Sequence, residues 1–240
     1  MGAILAGASE AAVAISPEQW PQADLTWVNS PANPTGRVHS DQEYLNAINW
    51  ARANGSILVS DECYLEFGDT ASPSSILQFT NGDNHNILAV HSLSKRSSMA
   101  GYRGAFLIGD KDLIARIREV RKHAGMMVPL PIQKAMTVAL SDDNHVAEQR
   151  ARYNARRAKL APALIAAGFE IEFSNAGLYI WCTRKESDWD SVSWLANLGI
   201  LATPGNFYGP LGKSHIRIAM TATDLQIADA AARITAATQV

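Results

Sequence analysis

The segment Ile57-Leu-Val-Ser-Asp-Glu-Cys-Tyr64 decides the fold. Its first half is a short apolar run that reads as a strand over Ile57–Asp61, and it stops on Asp61, Glu62, Cys63 and Tyr64. A buried strand with reactive side chains at its carboxyl end belongs to an open α/β sheet, because the loops past such ends converge on one crevice. Upstream, Leu25–Asn29 reads as a strand running into Asn29-Ser-Pro-Ala-Asn-Pro-Thr-Gly36. Between the two, Asp41–Ala53 sets Leu45, Ile48 and Ala51 on one helical face, with Gly55 as the stop. Downstream, Ile87–His91 reads as a third strand ending in Ser92-Leu93-Ser94-Lys95, and Gly104–Ile108 as a fourth. This alternation demands an α/β layering with an at least partly parallel sheet.

Further along, Asp110–His123 carries Leu113, Ile114, Ile117 and Val120 at helical spacing. Pro129 and Pro131 break the chain, and Ile132–Leu140 resumes as a short helix. His145–Ala167 reads as a long amphipathic helix with Val146, Tyr153, Leu160 and Leu164 as its apolar stripe. Arg150, Arg152, Arg156, Arg157 and Lys159 then form its solvated side, and Pro162 marks the place for a kink. The texture changes after it. Phe169–Phe173 and Leu178–Thr183 read as strands, Asp190–Leu198 as a helix ended by Gly199, His215–Met220 as a strand and Leu225–Ala236 as a terminal helix. The expected organisation is residues 1–144 as part of a large domain, 145–168 as a connecting helix and 169–240 as a small α+β domain. The opening sixteen residues read as a helix end and a strand.

The chain has 240 residues, 47% of them hydrophobic, which is ample material for a core. Lys+Arg 21 against Asp+Glu 23 gives a net charge of −2, so nothing marks a nucleic-acid or anionic-membrane footprint. No apolar run reaches the roughly 18 residues that a membrane-spanning helix needs. The apolar opening lacks a preceding basic region and is interrupted by Glu10, which argues against a signal peptide. Cys63 and Cys182 are too far apart for a CxxC motif and read as two buried thiols of a cytoplasmic protein.

Several motifs fail. No GxGxxG follows a strand, and Gly209-Pro-Leu-Gly-Lys-Ser214 has two residues between its glycines where a phosphate loop needs four. The six histidines show no metal-ligand spacing and read as surface or capping residues, with His91 and His123 near the site described next, where they could support it from behind. What remains is a constellation. Alone, Asn-Pro-Thr-Gly is a turn, Asp61 a cap and Lys95 a surface lysine. Together they bring Asn33, Asp61, Tyr64 and Lys95 to one crevice, with Ser92, Ser94 and Arg103 beside them. A lysine can form a Schiff base when burial or neighbouring cations, here Arg96 and Arg103, lower its pKa. A carboxylate can hold a ring nitrogen protonated, a phenol and an amide can bond a ring oxygen, and two hydroxyls with an arginine can hold a phosphate. The ligand so described is pyridoxal 5′-phosphate.

These motifs, Asn33-Pro-Thr-Gly36, Ser60-Asp-Glu-Cys-Tyr64, Ser92-Leu-Ser-Lys95 with Gly101-Tyr-Arg103, and an arginine within Ile216-Arg-Ile-Ala-Met220, occur in the order of the fold-type I, class I/II pyridoxal-phosphate aminotransferases. The chain resembles that family over nearly all its length. The resemblance implies a large cofactor-binding domain with helices on both faces of a mostly parallel sheet, a C-terminal α+β small domain and a homodimer. It implies that Lys95, Asp61 and Tyr64 are catalytic, Lys95 bonding the cofactor aldehyde, Asp61 the pyridine nitrogen and Tyr64 the ring oxygen. Asn33, Ser92, Ser94 and Arg103 would complete cofactor binding, and Asn33 with Arg217 would bind the substrate α-carboxylate. AVHSLSKRSSMAGYRG, REVRKHAGMMVP, NAGLYIWCTR and TPGNFYGP are similar to actinobacterial succinyldiaminopimelate aminotransferases. That similarity implies amino transfer between glutamate/2-oxoglutarate and N-succinyl-LL-2,6-diaminopimelate and its 2-oxo counterpart, a step of lysine and diaminopimelate biosynthesis. Members of the family are longer at the front, so the resemblance also raises a shortened chain that binds the cofactor without turning over.

Overall fold

A computed structural model describes residues 2–238. Helix α1 covers Gly2–Leu5, and no strand follows it before β1, Leu25–Asn29, so the strand expected within the opening sixteen residues is absent. The chain then builds α2 (Asp41–Asn54), β2 (Ile57–Asp61), β3 (Ile87–Ser92), the single turn α3 (Leu93–Arg96) and β4 (Ala105–Gly109). These four strands form one sheet in the order β1-β2-β3-β4. β1, β2 and β3 are parallel, while β4 runs antiparallel to β3.

Local chemistry fixes the ends of α2. Ser40 Oγ accepts the Glu43 N–H and Glu43 Oε2 accepts the Ser40 N–H, a reciprocal cap, and Gly55 ends the helix at φ +65°. Tyr44, Ala47, Ile48 and Ala51 of α2 pack with Val28, Leu58, Ile87 and Ala89 into one core. Helices α4 (Lys111–His123) and α5 (Leu130–Leu140) follow β4, and neither has a fully buried residue. With β4 they border an apolar groove of about 950 Å³ lined by Trp27, Phe106, Ile117, Met126, Met127 and Met136, among others. Pro131, expected to lie before a helix, sits in the first turn of α5, where its missing N–H breaks no bond.

Helix α6 (Asn144–Ala166) runs unbroken through Pro162, and its expected stripe of Val146, Tyr153, Leu160 and Leu164 is buried. The solvated side needs one correction, since Arg157 is buried. Its Nη1 and Nη2 donate to the carbonyls of Tyr179 and Gly177, each at 2.8 Å, and its Nε lies 3.2 Å from Asp69. A second sheet, ordered β5-β6-β8-β7, is built from Glu170–Ile171, Tyr179–Thr183, His215–Ala219 and Thr203–Pro204. The strand expected over Phe169–Phe173 is cut to β5 because Phe173 and Ser174 turn to positive φ. Helices α7 (Asp188–Asn197) and α8 (Asp224–Ala237) complete this half, whose core joins Leu160, Leu164, Ile180, Leu195, Ile216 and Ile234. Among the described residues no helix is long and apolar enough to cross a membrane.

Asp110 ties β3, β4 and α4 together. Oδ1 accepts the N–H groups of Asp112 and Leu113 at 2.8 and 3.0 Å, and Oδ2 accepts that of Asn86 at 2.7 Å. Backbone donors, the Leu113 N–H foremost, hold this carboxyl below the usual aspartate range. A group depressed in the folded state stabilises fully above its unfolded pKa and loses that effect as pH falls through its folded value. Asp110→Ala is expected to cost about 1–2 kcal/mol at neutral pH. The difference from the parent chain should shrink in acid below the ordinary aspartate range, as read by urea unfolding; a gap independent of pH would contradict the account.

Candidate active site

The parallel register sets the site. Asn29 of β1 is level with Asp61 of β2, and Asp61 with Val90 of β3, so the three strands end together and their loops meet. There a cavity of about 490 Å³ is lined by Asn29, Asn33, Asp61, Cys63, Tyr64, Ser92, Ser94, Lys95, Ala100 and Arg103. Every residue expected to touch the cofactor is in that set.

Each group is held by local structure. Asn29 Nδ2 donates to the Asp61 carbonyl at 2.9 Å, while its Oδ1 accepts the Asn33 N–H at 2.8 Å, which pins the Asn-Pro-Thr-Gly loop to the strand ends. Asp61 Oδ1 accepts the Cys63 N–H at 3.1 Å. Burial first, and then Asp61, push the Cys63 thiol up to about 12, and the Lys95 ammonium works against that rise. One thiol thus feels both the carboxylate and the amine, so the two face a common space. Ser92 Oγ accepts the Ser94 N–H at the start of α3, and the next turn presents Lys95. Arg103 is exposed, with φ +55°, and its Nη1 donates to the Ala100 carbonyl at 3.0 Å.

Tyr64 is buried, and its hydroxyl lies 3.3 Å from that of Tyr179 on β6. Arg217 on β8 comes from the second sheet. Its Nη1 donates to Asn33 Oδ1 at 2.9 Å, and its guanidinium stacks on Tyr179, 3.9 Å from the ring centroid, with Tyr208 at 5.0 Å. The Nε of Arg217 is buried without a hydrogen-bond partner among the described residues. Arg217 therefore sits beyond the cavity wall and reaches its rim through Asn33.

Some expectations need correction. Arg96 turns away from Lys95: its Nη1 donates to the Ala139 carbonyl and its Nη2 pairs with Asp143. His91 lies next to the site without lining it, pairing with buried Glu62 at 3.1 Å and stacking on Phe106. His123 is exposed beside Glu119 and is likewise outside it. Cys182 is buried, but Cys63 is only half-buried and lines the site; both thiols are free. Sequence reasoning missed Asn29, although the strand-end rule that found Asp61 applies equally to it. Tyr179 gave no such signal, because its approach depends on how the second sheet docks.

An amine, a carboxylate, a phenol, an amide, two hydroxyls and an arginine thus surround one strand-end crevice of an α/β sheet. The family model for aminotransferase class I and II matches residues 4–234, and the chain belongs to that family. It is 54% identical over 213 residues to the probable aminotransferase Rv1178 of Mycobacterium tuberculosis, covering 88% of this chain and 51% of that protein. It is 53% identical over 213 residues to the 4-dedimethylamino-4-oxo-anhydrotetracycline transaminase OxyQ of Streptomyces rimosus, with 88% and 59% covered. Among solved structures, a probable N-succinyldiaminopimelate aminotransferase of Thermus thermophilus superposes with a TM-score of 0.81 at 27% identity, covering 90% of this chain and 59% of that one. The chain thus spans little more than half the length of the curated relatives it matches. The family is one of pyridoxal-phosphate enzymes, and the donor set of the cavity fits that cofactor group by group.

Gly36, in the loop carrying Asn33, has φ +69°, and a Cβ there would lie 2.6 Å from the Ala176 carbonyl oxygen and 2.9 Å from Ser174 Cα. Gly55 has a similar φ of +65° but nothing within 4 Å. Gly36→Ala is therefore expected to cost about 2–4 kcal/mol, strain plus overpacking, and Gly55→Ala only about 1 kcal/mol. Equal losses in urea unfolding would remove the steric argument for this loop.

Proposed function

We propose that the chain carries out pyridoxal-phosphate-dependent transamination between an amino acid and 2-oxoglutarate, with N-succinyl-LL-2,6-diaminopimelate as amino donor. Within that reading residues 1–144 belong to the cofactor-binding domain, 145–168 to the connecting helix and 169–240 to the small domain, and the protein acts as a homodimer. The observation that carries it is the meeting of Lys95 and Asp61 at one cavity whose rim holds the Asn33–Arg217 pair.

When bound, the cofactor supplies an aldehyde that bonds amines and a ring that takes up the electrons released as a Cα proton leaves. Lys95 Nζ would hold that aldehyde carbon, and its amine would be the base placed to take the substrate Cα proton. Asp61 holds a proton on the ring nitrogen, which favours the charge-bearing transition state over the ground state. Tyr64 and Asn33 donate to the ring oxygen. Ser92, Ser94 and Arg103 hold the phosphate, Arg103 through a planar fork suited to it. Arg217 and Asn33 grip the α-carboxylate, which keeps that group on the substrate and disfavours decarboxylation.

A second reading has an observation in its favour: the 53% identity to a transaminase named for an anhydrotetracycline substrate favours a different specificity on the same machinery.

Adding pyridoxal phosphate is expected to produce a visible absorption band that glutamate bleaches, and Lys95→Ala should lack the band while retaining some phosphate-dependent binding. Asp61→Ala should form the band yet lose about 10²–10³ in turnover, by analogy with the loss of one preorganised electrostatic partner. A band in Lys95→Ala equal to the parent's would refute the lysine's role. A parent band that no amino donor bleaches would refute transamination by this chain. Bleaching by glutamate and other amino acids, but not by N-succinyl-LL-2,6-diaminopimelate, would exclude the donor proposed.

A further inference from the structure

Tyr179 stands between two groups that the proposed mechanism uses separately. Its hydroxyl lies 3.3 Å from that of Tyr64, and its ring faces the Arg217 guanidinium at 3.9 Å. Its placement is rigid: Tyr179 opens β6, pairs with Ala219 of β8, and its carbonyl accepts a hydrogen bond from buried Arg157. Both residues are buried, with Tyr64 at 7% and Tyr179 at 9% exposure, and Tyr64 also lines the cavity.

We propose that Tyr179 is a positioning residue whose hydroxyl donates to Tyr64 and sets how strongly Tyr64 donates to the cofactor's ring oxygen, while its ring seats Arg217 for the substrate carboxylate. This rests on the proposed function, which directs Tyr64 at that oxygen. A phenol has one proton. If Tyr64 gives its proton to the ring oxygen, Tyr179 must be the donor in the bond between the two hydroxyls. Accepting that bond polarises the Tyr64 O–H and strengthens its own donation by about 10–30%. Burial, the foremost cause, holds Tyr64 protonated beyond the usual phenol range, so it acts as a donor and not an anion. Arg217 opposes that effect and the Cys63 thiol adds to it. Asp61 and Lys95 line the same cavity as Tyr64, and Tyr208 lies on the Arg217 guanidinium with Tyr179.

The pH titration of the visible band reads the proton shared between Lys95 Nζ and the ring oxygen. Stronger donation from Tyr64 makes that oxygen a poorer acceptor, so the proton leaves at lower pH. Tyr179→Phe deletes the hydroxyl and keeps the ring. It is expected to raise the midpoint by about 0.1–0.6 pH unit, a fraction of the rise in Tyr64→Phe, with the affinity for succinate, a carboxylate lacking an amine, unchanged. Tyr179→Leu should raise the midpoint alike and weaken succinate binding several-fold. An unmoved midpoint in Tyr179→Phe beside a raised one in Tyr64→Phe overturns the proposal, as does an equal loss of succinate affinity in Tyr179→Phe and Tyr179→Leu. No visible band in the parent chain, or an unmoved midpoint in Tyr64→Phe, overturns the reading of the site itself and this inference with it.

Discussion

The 174–177 turn is bolted by backbone hydrogen bonds to two loops of the first sheet. Ser174 and Ala176 donate to the carbonyls of Thr35 and Gly36 at 2.9 and 3.1 Å, and Gly177 donates to Phe67 at 2.7 Å. In return the Asp69 N–H donates to the Asn175 carbonyl at 3.0 Å. The loops so fastened are the ones that carry Asn33 and Tyr64. Because β6 begins two residues after the turn, Tyr179 and its β8 neighbours are delivered to the rim of the cavity as a consequence. The Asn33–Arg217 pair, shared between the two halves of the chain, depends on this docking more than on either sheet's interior.

The first sheet contributes precision of another kind. Three parallel strands in continuous register end level, so an amide, a carboxylate and a lysine-bearing turn emerge within one crevice. On the two inner strands that carry this register, Leu58, Ile87 and Ala89 are fully buried. Behind it, Glu62 is engaged from two sides: the Ile76 N–H donates to its Oε1 at 2.8 Å, and His91 pairs with its Oε2 at 3.1 Å. A carboxylate next in sequence to Asp61 is thereby kept turned into the protein, leaving Asp61 as the anion of the cavity.

How much of this was legible in the residues follows from the range of the forces involved. Strands β1 to β3, the stop at Gly55 and the cap at Asp110 depend on local preferences and short apolar runs, and each lies within a residue or so of its expected place. Convergence of the strand ends was legible too, because parallel strands leave their loops no other side to occupy. The shortened β5 was not: the alternation of Phe169–Phe173 suits a strand, and only the docking of the next turn drives Phe173 and Ser174 to positive φ. Nor was the burial of Arg157. One arginine among several on a helix carries no local mark that two carbonyls and Asp69 will desolvate it. The meeting of Tyr64 with Tyr179, 115 residues apart, is equally a product of tertiary docking.

Helix α6 unites these placements. At its start His145 contacts Ser97 at 3.0 Å, and Asp143, its N-cap, pairs with Arg96, so the loop between Lys95 and Arg103 is anchored from one end of the helix. Two turns on, Tyr153 packs edge-on against Phe67 and Asn154 Nδ2 donates to the Gly68 carbonyl, which steadies the segment behind Tyr64. Arg157 then holds the carbonyls of Gly177 and Tyr179. The Lys95–Arg103 loop, the Tyr64 segment and the Tyr179 edge of the cavity are thus referred to one helix, and all these contacts fall before Pro162. The bond that a proline removes lies where the helix only packs apolar side chains, so the ladder is intact wherever that helix carries the site.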